Sequence, residues 1–94
     1  MNIKYQIVIH GTNFLISGLE HDKHGFYTTR FIESNDLNKA TLEAINLVRE
    51  ELKSKVLNPK NDEPKMFIEE VYLRESFDDC PVPGQGFSFF SEKT

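Results

Sequence analysis

The residues best suited to chemistry lie in a short polar segment, residues 20–24, with the sequence EHDKH. Two imidazoles three residues apart, flanked by carboxylates, supply the nitrogen and oxygen donors that transition metals bind. Lys23 lies between the two histidines and no cysteine is near, so the spacing matches no established metal motif. The segment is interpreted as a solvated hairpin loop, and no metal ligand or cofactor is predicted.

The single cysteine, Cys80, is a candidate nucleophile and lies in the sequence DDCPVPG. Its acidic neighbours disfavour the thiolate that a nucleophile requires. The glycines of GQG, residues 84–86, precede no helix and are interpreted as a turn rather than a phosphate cradle. No catalytic residue is predicted, and the sequence favours a protein without chemistry of its own.

Arg30 is the main candidate for binding, because it is a cation among threonines and aromatic residues in GFYTTRF, residues 25–31. It predicts either an ion pair with a sheet carboxylate such as Glu70 or a pocket of a small-ligand binder or enzyme that takes an anionic ligand, and the ion pair is favoured. The large aromatic side chains that accompany it as candidate interaction residues are Tyr27, Phe31 and Tyr72.

Acidic residues concentrate in the last third of the chain, where residues 58–94 hold eight Asp or Glu against four Lys or Arg. This excess disfavours nucleic acid, since affinity for phosphates comes from basic side chains. The group is interpreted as a solvated acidic edge, which also discourages unwanted strand pairing. As an alternative, Glu69, Asp78 and Asp79 offer a surface for a basic protein partner.

The elements that position these residues follow from periodicity. Alternating apolar residues predict a strand over residues 2–10, which residues 14–16 either extend past a bulge or follow as a short strand. Further strands are predicted over residues 25–33, 66–75 and 87–90. Asp36 predicts a helix start, and an apolar stripe predicts its buried face, centred on Leu37, Thr41, Ala44, Val48 and Leu52.

The order of these elements predicts an α+β fold of the ββαββ type, in one domain over residues 1–94. We expect a mixed, mostly antiparallel sheet with one long helix on one face. One helix cannot cover both faces, so the remaining aromatic residues predict a homodimer formed sheet to sheet, with loops folding back as the alternative. A single cysteine and no long apolar run predict a cytoplasmic protein without a membrane span.

Several landmarks together resemble a small uncharacterised bacterial protein family: NFLISG (13–18), GFYTTRFIES (25–34), the proline-led strand at 56–71 and GQGFSFF (84–90). The resemblance covers nearly the whole chain. It implies a bacterial, cytoplasmic, single-domain protein and adds no catalytic residues.

A hairpin followed by a helix with Ala40 and Ala44 is also similar, over about half of the chain, to the ribonuclease-H-like antitoxin domains of the HicB type. That likeness implies an antitoxin-like or immunity-like protein with an acidic binding surface. The chain lacks the glycine-cysteine segment that those domains place before the helix, and it carries no DNA-binding module.

Overall fold

The computed structural model describes residues 2–92 and contains four strands and one helix. The strands are β1 (Ile3–Phe14), β2 (His24–Ser34), β3 (Lys65–Arg74) and β4 (Ser88–Ser91), and the helix α1 (Leu37–Leu52) follows β2. They form one sheet in the order β3-β1-β2-β4. The predicted α+β fold with the order ββαββ is confirmed.

The sheet is antiparallel at every neighbouring pair, and in this respect the prediction of a mixed sheet is wrong. Since β2 and β3 are both antiparallel to β1, they run in the same direction, as the connecting helix suggested. They are not neighbours, because β1 lies between them and supplies a hydrogen-bonding edge to each.

Strand β1 runs longer than its alternating pattern because a bulge carries it past Gly11. The register with β2 shifts between Gly11 and Phe14, and Asn13 adopts a positive φ of 63°. Asparagine tolerates this left-handed conformation better than most residues. Of the predicted residues 14–16, only Phe14 extends β1 past this bulge, whereas Ile16 forms an isolated antiparallel bridge with Val56.

Helix α1 begins where Asp36 caps it, accepting a hydrogen bond from the Asn38 backbone N–H at 2.8 Å. Its buried stripe consists of Ala40, Ala44, Val48 and Leu52. The stripe starts one turn later than predicted, since Leu37 is exposed. Two alanines at the first two contacts let the helix backbone approach the sheet closely.

The helix packs on β1 and β2, whereas β3 lies beyond it and is mostly exposed on both sides. An apolar groove of about 420 Å³ remains between the helix and β3, with Met66 and Ile68 in its lining. No helix within residues 2–92 has the length and apolar character needed to cross a membrane.

Candidate functional site

The side of the sheet opposite the helix, called here the outer face, carries one aromatic ring from each strand. These rings belong to His10, Tyr27, Phe67 and Phe90, and we call them the outer aromatic cluster. His10 stacks on Tyr27 with ring centroids 4.6 Å apart, and Phe67 and Phe90 lie 6.4 and 6.3 Å from the imidazole. Tyr27 and Phe90 also stack, at 5.7 Å. The four rings therefore form one continuous surface.

Gly25 makes room for this cluster at its β4 end. It pairs with Phe90 across the two strands, and a side chain at Gly25 would run into the Phe90 ring. The Phe90 ring lies over Gly25 and covers its backbone, as aromatic rings do when they face a glycine on the neighbouring strand. The glycine that the sequence offered only as a strand boundary thus positions a ring of the cluster.

A bulge in β3 brings a carboxylate to the other end of the cluster. The register between β1 and β3 shifts between Val8 and Ile9, which leaves Glu70 opposite Val8. Glu69 then lies beside His10, with 3.8 Å between its Oε2 and the imidazole Nδ1. Successive residues of a regular strand point to opposite faces, but this irregularity places Glu69 next to an outer-face residue.

The outer aromatic cluster is not covered by the rest of the described chain. Tyr27, Phe67 and Phe90 are 42%, 48% and 39% exposed, and Tyr72 on the same face is 48% exposed. Contiguous apolar surface of this kind on a folded protein marks interaction sites, and aromatic side chains are enriched where proteins bind. Two of the predicted interaction residues, Tyr27 and Tyr72, therefore lie on one exposed face.

Phe31 lies on the outer face but is partly covered. The loop after β3 lays Phe77 edge-on against it, with ring centroids 5.7 Å apart. The predicted alternative of loops folding back thus applies to this end of the outer face and leaves the cluster around His10 open.

Arg30 lies on the opposite side of β2, fully buried between the sheet and the helix. Its guanidinium bonds Glu51 Oε2 at 2.5 Å, the Thr29 carbonyl at 2.9 Å and the Thr28 hydroxyl, and it lies 5.4 Å from the Phe87 ring centroid. Its Nε donates to no acceptor within residues 2–92. A buried guanidinium needs such partners because it stays charged.

The ion pair predicted for Arg30 is therefore present, but its partner is Glu51 of the helix and not Glu70. The reason is the sheet order: Arg30 pairs with Ile7 on the helix side, while Glu70 pairs with Val8, whose side chain points to the outer face. Strand β1 separates the two charges.

Residues 81–88 close the open edge of β2 next to Arg30. The Phe31 N–H donates to the Pro83 carbonyl at 2.9 Å, and the Thr28 hydroxyl donates to the Gly86 carbonyl at 2.6 Å. A surface cleft of about 360 Å³ lies between this segment and β2, and Arg30 is not among the residues lining it. A small ligand in the cleft would meet threonines, aromatic side chains and the glycines of residues 84–86, not the guanidinium.

The acidic candidates are all exposed but lie in two places. Glu69 is in β3 beside His10, and Asp78 and Asp79 are in the loop after β3. The Asp78 backbone N–H donates to the Ser76 hydroxyl at 3.0 Å, which makes a local turn. Their exposure is compatible with a solvated surface or with contact to a basic protein.

The histidines of the polar segment do not converge. His24 is buried, with its Nδ1 2.9 Å from the Asp22 carbonyl, and His21 is exposed. Within residues 2–92, no three His, Cys, Asp or Glu side chains lie close enough together to hold a metal ion. Cys80 is partly exposed, and its backbone N–H donates to the Phe77 carbonyl at 2.9 Å.

A polar junction at the bulge of β1 was not predicted from the sequence. Asn13 bonds Asp62 and Lys23 at 2.9 and 3.0 Å, and Lys23 also pairs with Asp62. Asn58 donates to the Asn13 and Asp62 carbonyls at 2.8 and 2.9 Å, and the Asn13 N–H donates to Glu92 at 2.7 Å. The hydrogen bond from Lys23, followed by that from Asn13, holds the pKa of Asp62 below its usual value. The junction ties together segments far apart in sequence.

Comparison with known proteins gives no match to a family model, a curated protein or a solved structure.

Proposed function

We propose that this protein is a non-catalytic binding module that associates with itself or another protein through its outer face. The observation that carries the proposal is the outer aromatic cluster, in which each strand contributes one ring and three of the rings are at least 39% exposed. Covering such rings removes apolar surface from water, which is the main driving force of protein association.

A second copy of the chain is the favoured occupant. The rings of Tyr27, Phe67 and Phe90 carry no charge, so two copies of the cluster can meet without repulsion between these rings, and a two-fold interface brings the same patch of both copies together. Aromatic rings meeting across such an axis gain offset-stacked or edge-to-face contacts in addition to the buried area. The homodimer is therefore proposed to form outer face to outer face.

The test is the solution mass over a concentration series, measured by sedimentation velocity on the wild-type chain and on the double variant Tyr27→Ser/Phe90→Ser. We expect the wild-type mass to rise above that of a monomer and the variant to have a lower mass at each concentration. Leu42→Ser is the matched control, since Leu42 is 61% exposed on the helix. A wild-type chain that stays monomeric throughout contradicts self-association.

A basic protein partner is the second candidate, supported by the exposed carboxylates of Glu69, Asp78 and Asp79. This is the surface that an antitoxin-like or immunity-like protein would use. Binding to such a partner would weaken with added salt, since exposed charges are screened. Reversal of all three charges that leaves the binding unchanged would exclude this surface.

A further inference from the structure

Strand β3 forms a long open edge of the sheet. It spans ten residues, and within residues 2–92 only β1 pairs with it. The other edge is β4, which has four residues. An edge strand presents a row of backbone donors and acceptors that a further strand can pair with, and proteins usually keep such edges short or protected. An open edge as long as β3 is therefore unusual and suggests that another strand pairs with it.

Each side of β3 carries an exposed apolar side chain. Leu73 is 71% exposed on the helix side, the highest value among the large hydrophobic residues of the described chain, and Tyr72 is 48% exposed on the outer face. A strand laid along this edge would shield both sides at once, because its side chains alternate in the same way. A ligand bound to one face alone would leave the other exposed.

The charged side chains of β3 indicate which strand would pair with its open edge. Glu70 and Arg74 lie on the outer-face side of the strand, opposite Val8 and Lys4 of β1. Neither forms an ion pair within residues 2–92, although Arg74 donates to the Gln6 side chain at 3.0 Å. An antiparallel strand that carries the same two charges in the same order would satisfy both, and a second copy of β3 is such a strand.

We propose that β3 pairs antiparallel with β3 of a second copy, about a two-fold axis that passes through Tyr72. Glu70 then lies opposite Arg74 of the second copy. By the two-fold symmetry, Arg74 lies opposite Glu70 of the second copy. Val71 lies opposite Leu73 of the second copy on the helix side, and the two Tyr72 rings meet at the axis. The two sheets become one sheet of eight strands. This inference goes beyond the self-association proposed for the outer face, because it uses a separate surface and can hold without it.

Other registers are less favourable in their charges. Pairing along the whole strand would place Lys65 opposite Arg74 and Glu69 opposite Glu70, and like charges directly opposite each other are destabilising. Pairing about Phe67 would use Lys65 and Glu69, but Glu69 already lies 3.8 Å from His10. Of these three registers, only the one about Tyr72 brings together opposite charges that both lack an ionic partner in the described chain.

The experiment is a charge exchange between two chains, with mass read by sedimentation velocity. Glu70→Lys leaves two cations at the paired positions and Arg74→Glu leaves two anions, so each variant repels itself. We expect each variant alone to show half the wild-type mass at a concentration where the wild type is fully associated. An equimolar mixture restores the wild-type mass, because the two variants are complementary to each other.

Two controls distinguish an effect at the β3 edge from a general effect of net charge or of misfolding. Glu43→Lys makes the same charge change on the exposed side of the helix and is expected to keep the wild-type mass. Far-UV circular dichroism checks that every variant is folded. Single variants with wild-type mass, or a mixture that stays at half mass, would overturn the proposal. Restoration by mixing Lys65→Glu with Glu69→Lys would instead place the axis at Phe67 and overturn the Tyr72 register.

The outcome also separates this inference from the outer-face proposal. If outer-face association fails and edge pairing holds, Tyr27→Ser/Phe90→Ser keeps the wild-type mass while Glu70→Lys still halves it. If edge pairing fails and the outer face holds, the double variant loses mass and both charge variants do not.

Discussion

On the helix side of β2, Phe26 is fully buried, whereas the next residue, Tyr27, is 42% exposed on the outer face. Phe26 lies against Phe14, Phe87 and Phe89, with ring centroids 5.0 to 5.8 Å away. Tyr27 stacks only on rings that are themselves partly exposed. Both faces are rich in aromatic residues, so residue type does not distinguish them.

The difference lies in what covers each face. The helix and residues 81–88 complete the helix side, where even the charged Arg30 is enclosed and paired. On the outer face the part of the chain that the structure describes covers the end at Phe31, where a loop places Phe77 against it, and leaves the cluster around His10 exposed. Aromatic residues on the helix side therefore stabilise the fold, whereas those on the outer face are available for association. Substitutions at matched positions on the two faces test this division.

The largest difference in the free energy of unfolding is expected between the variants Phe26→Ala and Tyr27→Ala. Removing the buried ring leaves a cavity and should lower the free energy of unfolding by about 3–5 kcal/mol. Removing the exposed ring should cost about 1 kcal/mol, mainly its stacking. Urea denaturation followed by circular dichroism measures both. Similar losses at the two positions would contradict the division between the faces.

Charge pairs provide the next contrast, between Glu51→Ala on the helix side and Glu33→Ala on the outer face. Loss of Glu51 leaves the buried Arg30 uncompensated, and because the Glu51 side chain is 35% exposed we expect about 2 kcal/mol, less than for a fully buried pair. The pair between Lys4 and Glu33, at 4.0 Å, is exposed, so its loss should cost below about 0.5 kcal/mol. Equal costs, measured by the same denaturation, would mean that Arg30 finds another partner.

Two glycines that lie beneath aromatic rings, one on each face, allow the same comparison with smaller expected losses of stability. A methyl group at Gly11 would enter the ring of Phe26, which is enclosed, and Gly11→Ala should cost about 1–3 kcal/mol. At Gly25 a methyl group would meet the Phe90 ring, which is partly exposed and can swing aside, and the Gly11 backbone oxygen at 3.0 Å, so Gly25→Ala should cost less than Gly11→Ala, about 1 kcal/mol. Thermal melts of both variants show which loses more stability. A larger loss for Gly25→Ala would contradict the view that the helix side is the more tightly enclosed face.

The smallest effect on stability is expected for a substitution of Asp62. This residue belongs to the polar junction at the bulge of β1, which lies on neither face of the sheet. Its pKa is lower in the folded chain than the ordinary 3.8, so its contribution to stability is present above that pH and is lost as the pH falls through the folded value. Asp62→Asn should therefore be less stable than the wild type near neutral pH, and the gap in urea midpoint should close in strong acid. A gap that is independent of pH would exclude ionisation of Asp62 as its cause.

Local patterns determined much of the architecture. Alternation located β1, β2 and β3, and Asp36 marked the start of the helix, because strand pleating and helix capping depend on neighbouring residues. The same patterns showed that one helix leaves a sheet face uncovered. They also predicted that Arg30 would form an ion pair, since a cation inside a strand must be compensated.

Tertiary structure decided which residues meet. The insertion of β1 between β2 and β3 put Arg30 and Glu70 on different sides of a strand, and Glu51 became the partner because the helix crosses over β2. The bulge at Val8 brought Glu69 to His10. Strand order and register depend on contacts between residues far apart in the chain, and periodicity along one segment carries no information about them.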